Sequence, residues 1–194
     1  MNNKIGAKDL ITLGIFTVIY FVIGAALSLL ISIPIMVPFF PAVWALINGT
    51  VFMLYSTKVE KFGLVTLMAV LTGLLVGLTG MGFWCVPTGL VFGLLGDLIM
   101  KKGNYKSFKH NLIGYSVFSI WTSGSLIPWY FFAQDMLAKY VEGGYGTDYG
   151  MQVMSITPWW SLIIFVGLNF IGGMLGAIIG KKIMKKHFEK AGIL

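Results

Sequence analysis

Charge is scarce in this chain. Only 11% of its 194 residues are Asp, Glu, Lys or Arg, against 57% hydrophobic, and the mean hydropathy is +0.86. So few charges cannot cover a water-soluble domain of that composition, which points to a bilayer as the solvent. Cysteine occurs once, at Cys85, so an internal disulfide is excluded; with no ligands beside it, it reads as a small buried side chain rather than a metal ligand. There is no HExxH, GxSxG or P-loop pattern, and His110 and His187 both sit in basic segments where a solvated side chain is the ordinary reading. Enzyme chemistry, a metal and a cofactor are therefore not expected. Pro/Ser linkers and low-complexity tracts are also missing, so residues 1–194 form a single membrane domain.

Buried charge is scarcer still. Asp97 is the sole acid near a span interior, and Lys101 four residues later suggests an i,i+4 ion pair at a helix end. An ion-driven transporter would carry more charge within its spans.

What the chain does have is long apolar runs. A helix needs about 20 residues to cross about 30 Å of hydrocarbon. Six segments approach that length, at 11–33, 41–56, 62–82, 85–100, 112–134 and 159–180. The runs are continuous rather than alternating, which excludes β-barrel strands and makes the fold class all-α, a six-helix transmembrane bundle. The first run is too long for a signal peptide's core and no small-residue cleavage site follows it, so it should remain as a membrane helix.

Lysine orients the bundle. Thirteen of the fourteen (Lys4, Lys8, Lys58, Lys61, Lys101, Lys102, Lys106, Lys109, Lys181, Lys182, Lys185, Lys186 and Lys190) fall on one side, and the other side receives Lys139 with Asp135, Glu142 and Asp148. Positively charged loops stay in the cytoplasm, which puts both termini there. The same fringe accounts for the +7 net charge without a nucleic-acid partner.

Spans 2 and 4 are short as bounded, and both have lysine-anchored inner ends. The shortfall should open a depression on the outer side, lined by the loops "PIMVPFFP" and "GMGFW". Five of six tryptophans, Trp44, Trp84, Trp129, Trp159 and Trp160, map to that side, with Trp121 deeper. Trp159 and Trp160 suit an interfacial belt; Trp44, Trp84, Trp121 and Trp129 are candidates to stack on a flat ligand. Polar residues within spans face protein or a cavity. Asn48 lies one turn below Trp44, Trp121, Ser125 and Trp129 share a helical face with Tyr130 beside them, and Asn169 could bond a ligand or another helix. Glycines four apart favour close helix packing. Gly172, Gly176 and Gly180 on span 6, with Gly14 on span 1, are the candidates for partner contact.

The segments "KDLITLGIFTVIYFVIG" and "GLVFGLLGDLIMKKGNYKS", within six spans in about 190 residues, resemble the Trep_Strep family of integral membrane proteins. More broadly they resemble the substrate-binding S components of energy-coupling factor (ECF) transporters. The resemblance implies capture of a vitamin-like micronutrient from outside at the plasma membrane of a bacterium. Delivery would follow by toppling in the bilayer, driven by a coupling transmembrane subunit and two ABC ATPases. S components dock through small residues four apart on the first helix; here Gly14 matches the first position and Val18 stands where alanine is common. The substrate is left open between flat aromatic vitamins, their precursors and tetrapyrroles. A non-transporting assembly or signalling protein and a small autonomous facilitator are the competing classes.

Overall fold

A computed structural model describes residues 5–188, with the side chains of 187 and 188 excepted. Lys4, Lys190 and the His187 side chain, used above, lie outside the described residues. Every regular element among those described is helical: α1 (Ala7–Leu27), α2 (Met36–Ser56), α3 (Leu64–Val76), α4 (Cys85–Lys102), α5 (Phe108–Ser119), α6 (Ile127–Phe131), α7 (Ala133–Glu142), α8 (Thr147–Ile156) and α9 (Ser161–Ile183). Tighter or wider turns extend four of them, one being the π turn Met184–Phe188 that continues α9. A 3₁₀ stretch, Ser28–Ser32, continues α1, a π turn, Gly77–Met81, ends α3, and a 3₁₀ stretch, Ile120–Leu126, joins α5 to α6.

Among the described residues, four stretches are long and apolar enough to cross a membrane: Ala7–Ser32, Met36–Ser56, Leu64–Met81 and Ser161–Lys186. The helices close into a ring in the order α1, α2, α9, α5, α4, α3, with α3 returning to α1. Aromatic side chains fill its centre, where Phe52 of α2 stacks on Tyr115 of α5 at 4.4 Å and the Tyr115 hydroxyl donates to the Ala45 carbonyl at 2.6 Å. Aliphatic side chains such as Ile11, Ile15, Leu90, Val91, Ile163 and Ile164 point outward, as an apolar solvent requires.

Two expectations about the spans need correction. Helix α2 starts at Met36 rather than at Pro41 and runs 21 residues, about 32 Å, so it is not short. Proline is tolerated near a helix start because the first-turn N–H groups have no intrahelical partner, which lets Pro38 enter the helix; Pro41, a turn deeper, gives up one bond. The fifth apolar run is not one regular helix either, because its 3₁₀ middle re-aims the side chains of Ile120–Leu126.

The lysine-bearing segments meet at one end of the ring. Lys61 pairs with Asp9 at 2.6 Å, Lys106 lies 3.3 Å from Glu60, and the ammonium groups of Lys101 and Lys181 sit over the rings of Phe62 and Phe108. Lys139 is at the opposite end, where its ammonium donates to the Gly80 carbonyl.

Asp97 does not pair with Lys101. Its carboxylate is fully buried and accepts hydrogen bonds from the Gly63 N–H (2.8 Å), the Thr66 N–H (3.2 Å), the Thr66 hydroxyl (3.1 Å) and the Tyr105 hydroxyl (2.7 Å). It therefore caps the start of α3, where unpaired N–H groups and the helix dipole favour an anion. The cap needs the turn after α4: Asn104 and Tyr105 take left-handed backbone angles, φ 49° and 58°, and Asn111 holds the Tyr105 carbonyl at 2.7 Å. Burial, then the bond to Asp97, pushes the Tyr105 phenol pKa up, which keeps that donor protonated.

Candidate functional site

At the lysine-poor end, three descending columns of side chains converge. Along α1 and its 3₁₀ extension they run Ser28, Gly24, Tyr20, Thr17; along α2, Phe40, Trp44, Asn48; and along the fifth run, Trp129, Ser125, Trp121, Phe118. The upper members line a chamber of about 300 Å³, whose walls include Ser28, Phe40, Ser125 and Trp129. Thr79, Gly80 and Met81 close another side, because the π turn and the φ of +88° at Gly80 bring this backbone inward. A smaller cavity of about 160 Å³ shares Ser28, Thr79 and Met81 and reaches down to Trp44.

Trp44 packs among aromatic rings and also borders this smaller cavity. Its ring lies 6.0 Å from Tyr20, 5.6 Å from Phe40 and 5.8 Å from Trp121, between centroids. A Cβ on Gly24 would come within 2.0 Å of the outer edge of the indole, so only glycine leaves room for it there. The Thr17 hydroxyl and both polar atoms of Asn48 are buried without hydrogen-bond partners, while the Tyr20 hydroxyl sits against the Tyr115 hydroxyl and the indole N–H groups of Trp44 and Trp121 without a well-aligned bond.

The structure gathers some of the candidate residues and separates others. Ser125 and Trp129 line the chamber, Trp44 lines the cavity below it, and Trp121 and Asn48 lie deeper still. Trp84 is outside the chamber: it is 41% exposed and stacks on Phe132 at 5.8 Å. Tyr130 is also occupied elsewhere, sharing a 2.7 Å hydrogen bond with Ser161. Asn169 joins helices, its amide reaching the Ser119 carbonyl, Thr122 and Ser123 at 2.9 to 3.0 Å. Trp159 and Trp160 point away from the protein.

The glycines of span 6 are not a free docking surface. A Cβ on Gly172 would lie 2.5 Å from the Ala42 carbonyl oxygen, one on Gly176 2.6 Å from that of Ala45, and one on Gly180 2.9 Å from that of Gly49. They seat α9 on α2, and backbones packed that closely leave no surface for a partner. Gly14 differs, since no atom would meet its Cβ within 4 Å, and Val18 one turn on is 55% exposed.

Sequence reasoning missed the roof. The connection after span 5 folds into α7 and α8, whose tyrosines stack: Tyr140 faces Tyr149 at 5.2 Å with rings 9° from parallel, and Tyr145 packs on both. Trp129 meets Tyr140 at 5.1 Å, tying roof to wall. The Tyr149 hydroxyl donates to the Ile31 carbonyl and Lys139 to that of Gly80, so the roof is latched to both α1 and α3. Burial pushes the pKa of the Tyr140 and Tyr149 phenols up, keeping both neutral. The clue was available, because Met136 and Tyr140 are spaced by four on one face of α7.

A closed ring of apolar helices around an aromatic centre, with a lysine fringe at one end, defines a helical integral membrane protein. Over residues 7–190 the chain matches the family described as hypothetical bacterial integral membrane protein (Trep_Strep), and it belongs to that family. Comparison with curated proteins and with solved structures gave no match.

Proposed function

We propose that this protein is the substrate-capture S component of an ECF-type importer. In this reading the bundle spans the membrane six times, α4 and the stretch from α5 to α6 supplying the remaining two crossings. Both termini are cytoplasmic and the chamber opens outward. A coupling transmembrane subunit and two ABC ATPases power delivery of a flat, vitamin-like micronutrient. The observation that carries the reading is the chamber itself: a half-enclosed space of about 300 Å³, with Trp129 and Phe40 in its wall and a tyrosine-rich roof latched across it. That size is at the lower end for small-molecule sites, and flat aromatic ligands gain from stacking on such walls.

The test is to identify by mass spectrometry the ligand retained through mild purification and to titrate it back. Trp129→Ala should weaken its binding roughly tenfold or more, because truncating a buried aromatic anchor loses contact area and leaves a void. Trp160→Ala, on an outward-facing side chain, is the control. Unchanged affinity in Trp129→Ala would move the site out of the chamber. Uptake by the purified chain alone in liposomes would replace the importer with a facilitator.

Orientation has its own check. A cysteine at Lys106 should react with a membrane-impermeant maleimide only from the cytoplasmic face, and one at Thr147 only from outside. The native Cys85 is buried, which keeps background labelling low. The reverse pattern would invert the assignment.

A further inference from the structure

The partnerless polar atoms below the chamber are the least explained feature of the interior. Three of them, the Thr17 hydroxyl and both polar atoms of Asn48, are buried without a hydrogen bond, and the indole N–H groups of Trp44 and Trp121 reach only the Tyr20 hydroxyl, without a well-aligned bond. The three rings are mutual neighbours at 5.8 to 6.5 Å, and Thr17 and Asn48 lie one turn below Tyr20 and Trp44 on the same helices. An unpaired buried polar group costs its full desolvation, so a core selected for stability alone would carry apolar side chains here. Polar groups retained at such a cost mark a place where a partner arrives.

We infer that this cluster is the inner subsite of the chamber, uncovered when the Trp44 indole swings aside, and that it takes the cyclic-amide edge of a flat heteroaromatic ligand. The inference rests on the chamber being a ligand site. Three features select the ligand chemistry. The two indole N–H groups can only donate, so the ligand must bring acceptors. Asn48 offers a donor and an acceptor side by side, the complement of a ring C=O next to a ring N–H. None of the five side chains is charged, so an ionised group would be desolvated there without compensation. Access comes from above, because Trp44 forms the floor of the 160 Å³ cavity that shares Ser28, Thr79 and Met81 with the chamber.

The experiment uses the full chain in detergent and two probes of one bicyclic shape. 2-Quinolone carries the cyclic-amide edge; 2-methoxyquinoline does not. By calorimetry 2-quinolone should bind roughly tenfold more tightly or better, and in Asn48→Leu and Trp44→Phe its advantage should fall below about twofold. Without any probe, Asn48→Leu should raise the melting temperature by about 2 to 4 °C, since an apolar side chain of similar size relieves the unpaired amide. Equal binding of the two probes, no binding of either, an advantage surviving in both variants, or a lower melting temperature for Asn48→Leu would each overturn the inner subsite. Trp129→Ala separates the two levels of the argument. If it weakens both probes while the wild type does not discriminate between them, the chamber stands and only the inner subsite fails. If it changes neither affinity, the chamber fails as well.

Discussion

Asp97→Ala should lower the folding stability by on the order of 4 kcal/mol, read as a large drop in the midpoint of thermal or SDS-induced unfolding in micelles. The carboxylate takes four hydrogen bonds from three residues, and its removal strands the N–H groups of Gly63 and Thr66 and the hydroxyls of Thr66 and Tyr105 together. Each stranded buried donor carries a desolvation cost, and the α3 N-terminus also loses its anion. Asp97→Asn should fall between wild type and Asp97→Ala, because one amide oxygen still accepts while the NH₂ group confronts donors. Lys101→Ala is the decisive companion. If the i,i+4 pair were the role of Asp97, both variants would lose comparable stability. In the structure Lys101 lies over Phe62, so its removal should cost within about 0.5 kcal/mol. Equal losses would return Asp97 to the helix-end pair.

That contrast shows where the sequence was legible and where it was not. Helical class and the clustering of lysines at one end follow from apolar run length and charge position, which are properties of the chain itself. Trp44, Ser125 and Trp129 could be placed near one another because spacing along a helix and depth along a span both point the same way. Asp97 was misassigned because three of its four donors come from 31 and 34 residues away in the chain, and a local pair was the nearest explanation. Trp84 and Tyr130 were misplaced for a related reason. Being at the right depth does not fix which way a side chain faces, and the 3₁₀ turn before α6 rotates Tyr130 towards Ser161. The roof escaped notice because α7 and α8 are only 10 residues each, too short for a membrane-span reading that equates helix with 20 apolar residues. Lys139 then looked like an exception to the charge pattern, whereas it latches the roof to α3.

Gly176→Leu and Gly14→Leu should have opposite consequences, although both began as candidates for partner docking. At Gly176 a Cβ would already lie 2.6 Å from the Ala45 carbonyl oxygen and 2.7 Å from that of Leu46, and Gly49 on α2 meets the Gly176 backbone just as closely from its side. Neither backbone can yield without separating α9 from α2, the most extensive helix contact in the ring. Leucine there should cost about 3 kcal/mol or more and abolish a monodisperse folded peak in size-exclusion chromatography. At Gly14 nothing stands within 4 Å, and the same face carries the exposed Val18, Ile11 and Ile15. Leucine at this position should change stability by less than about 0.5 kcal/mol. Its effect should appear only in assembly: if the α1 face docks on a coupling subunit, Gly14→Leu should lose co-purification with that subunit while folding and ligand retention persist. A well-folded Gly176→Leu would mean that α9 and α2 are not packed backbone to backbone. Undiminished co-purification of Gly14→Leu would remove α1 from the docking surface and leave its apolar face to lipid.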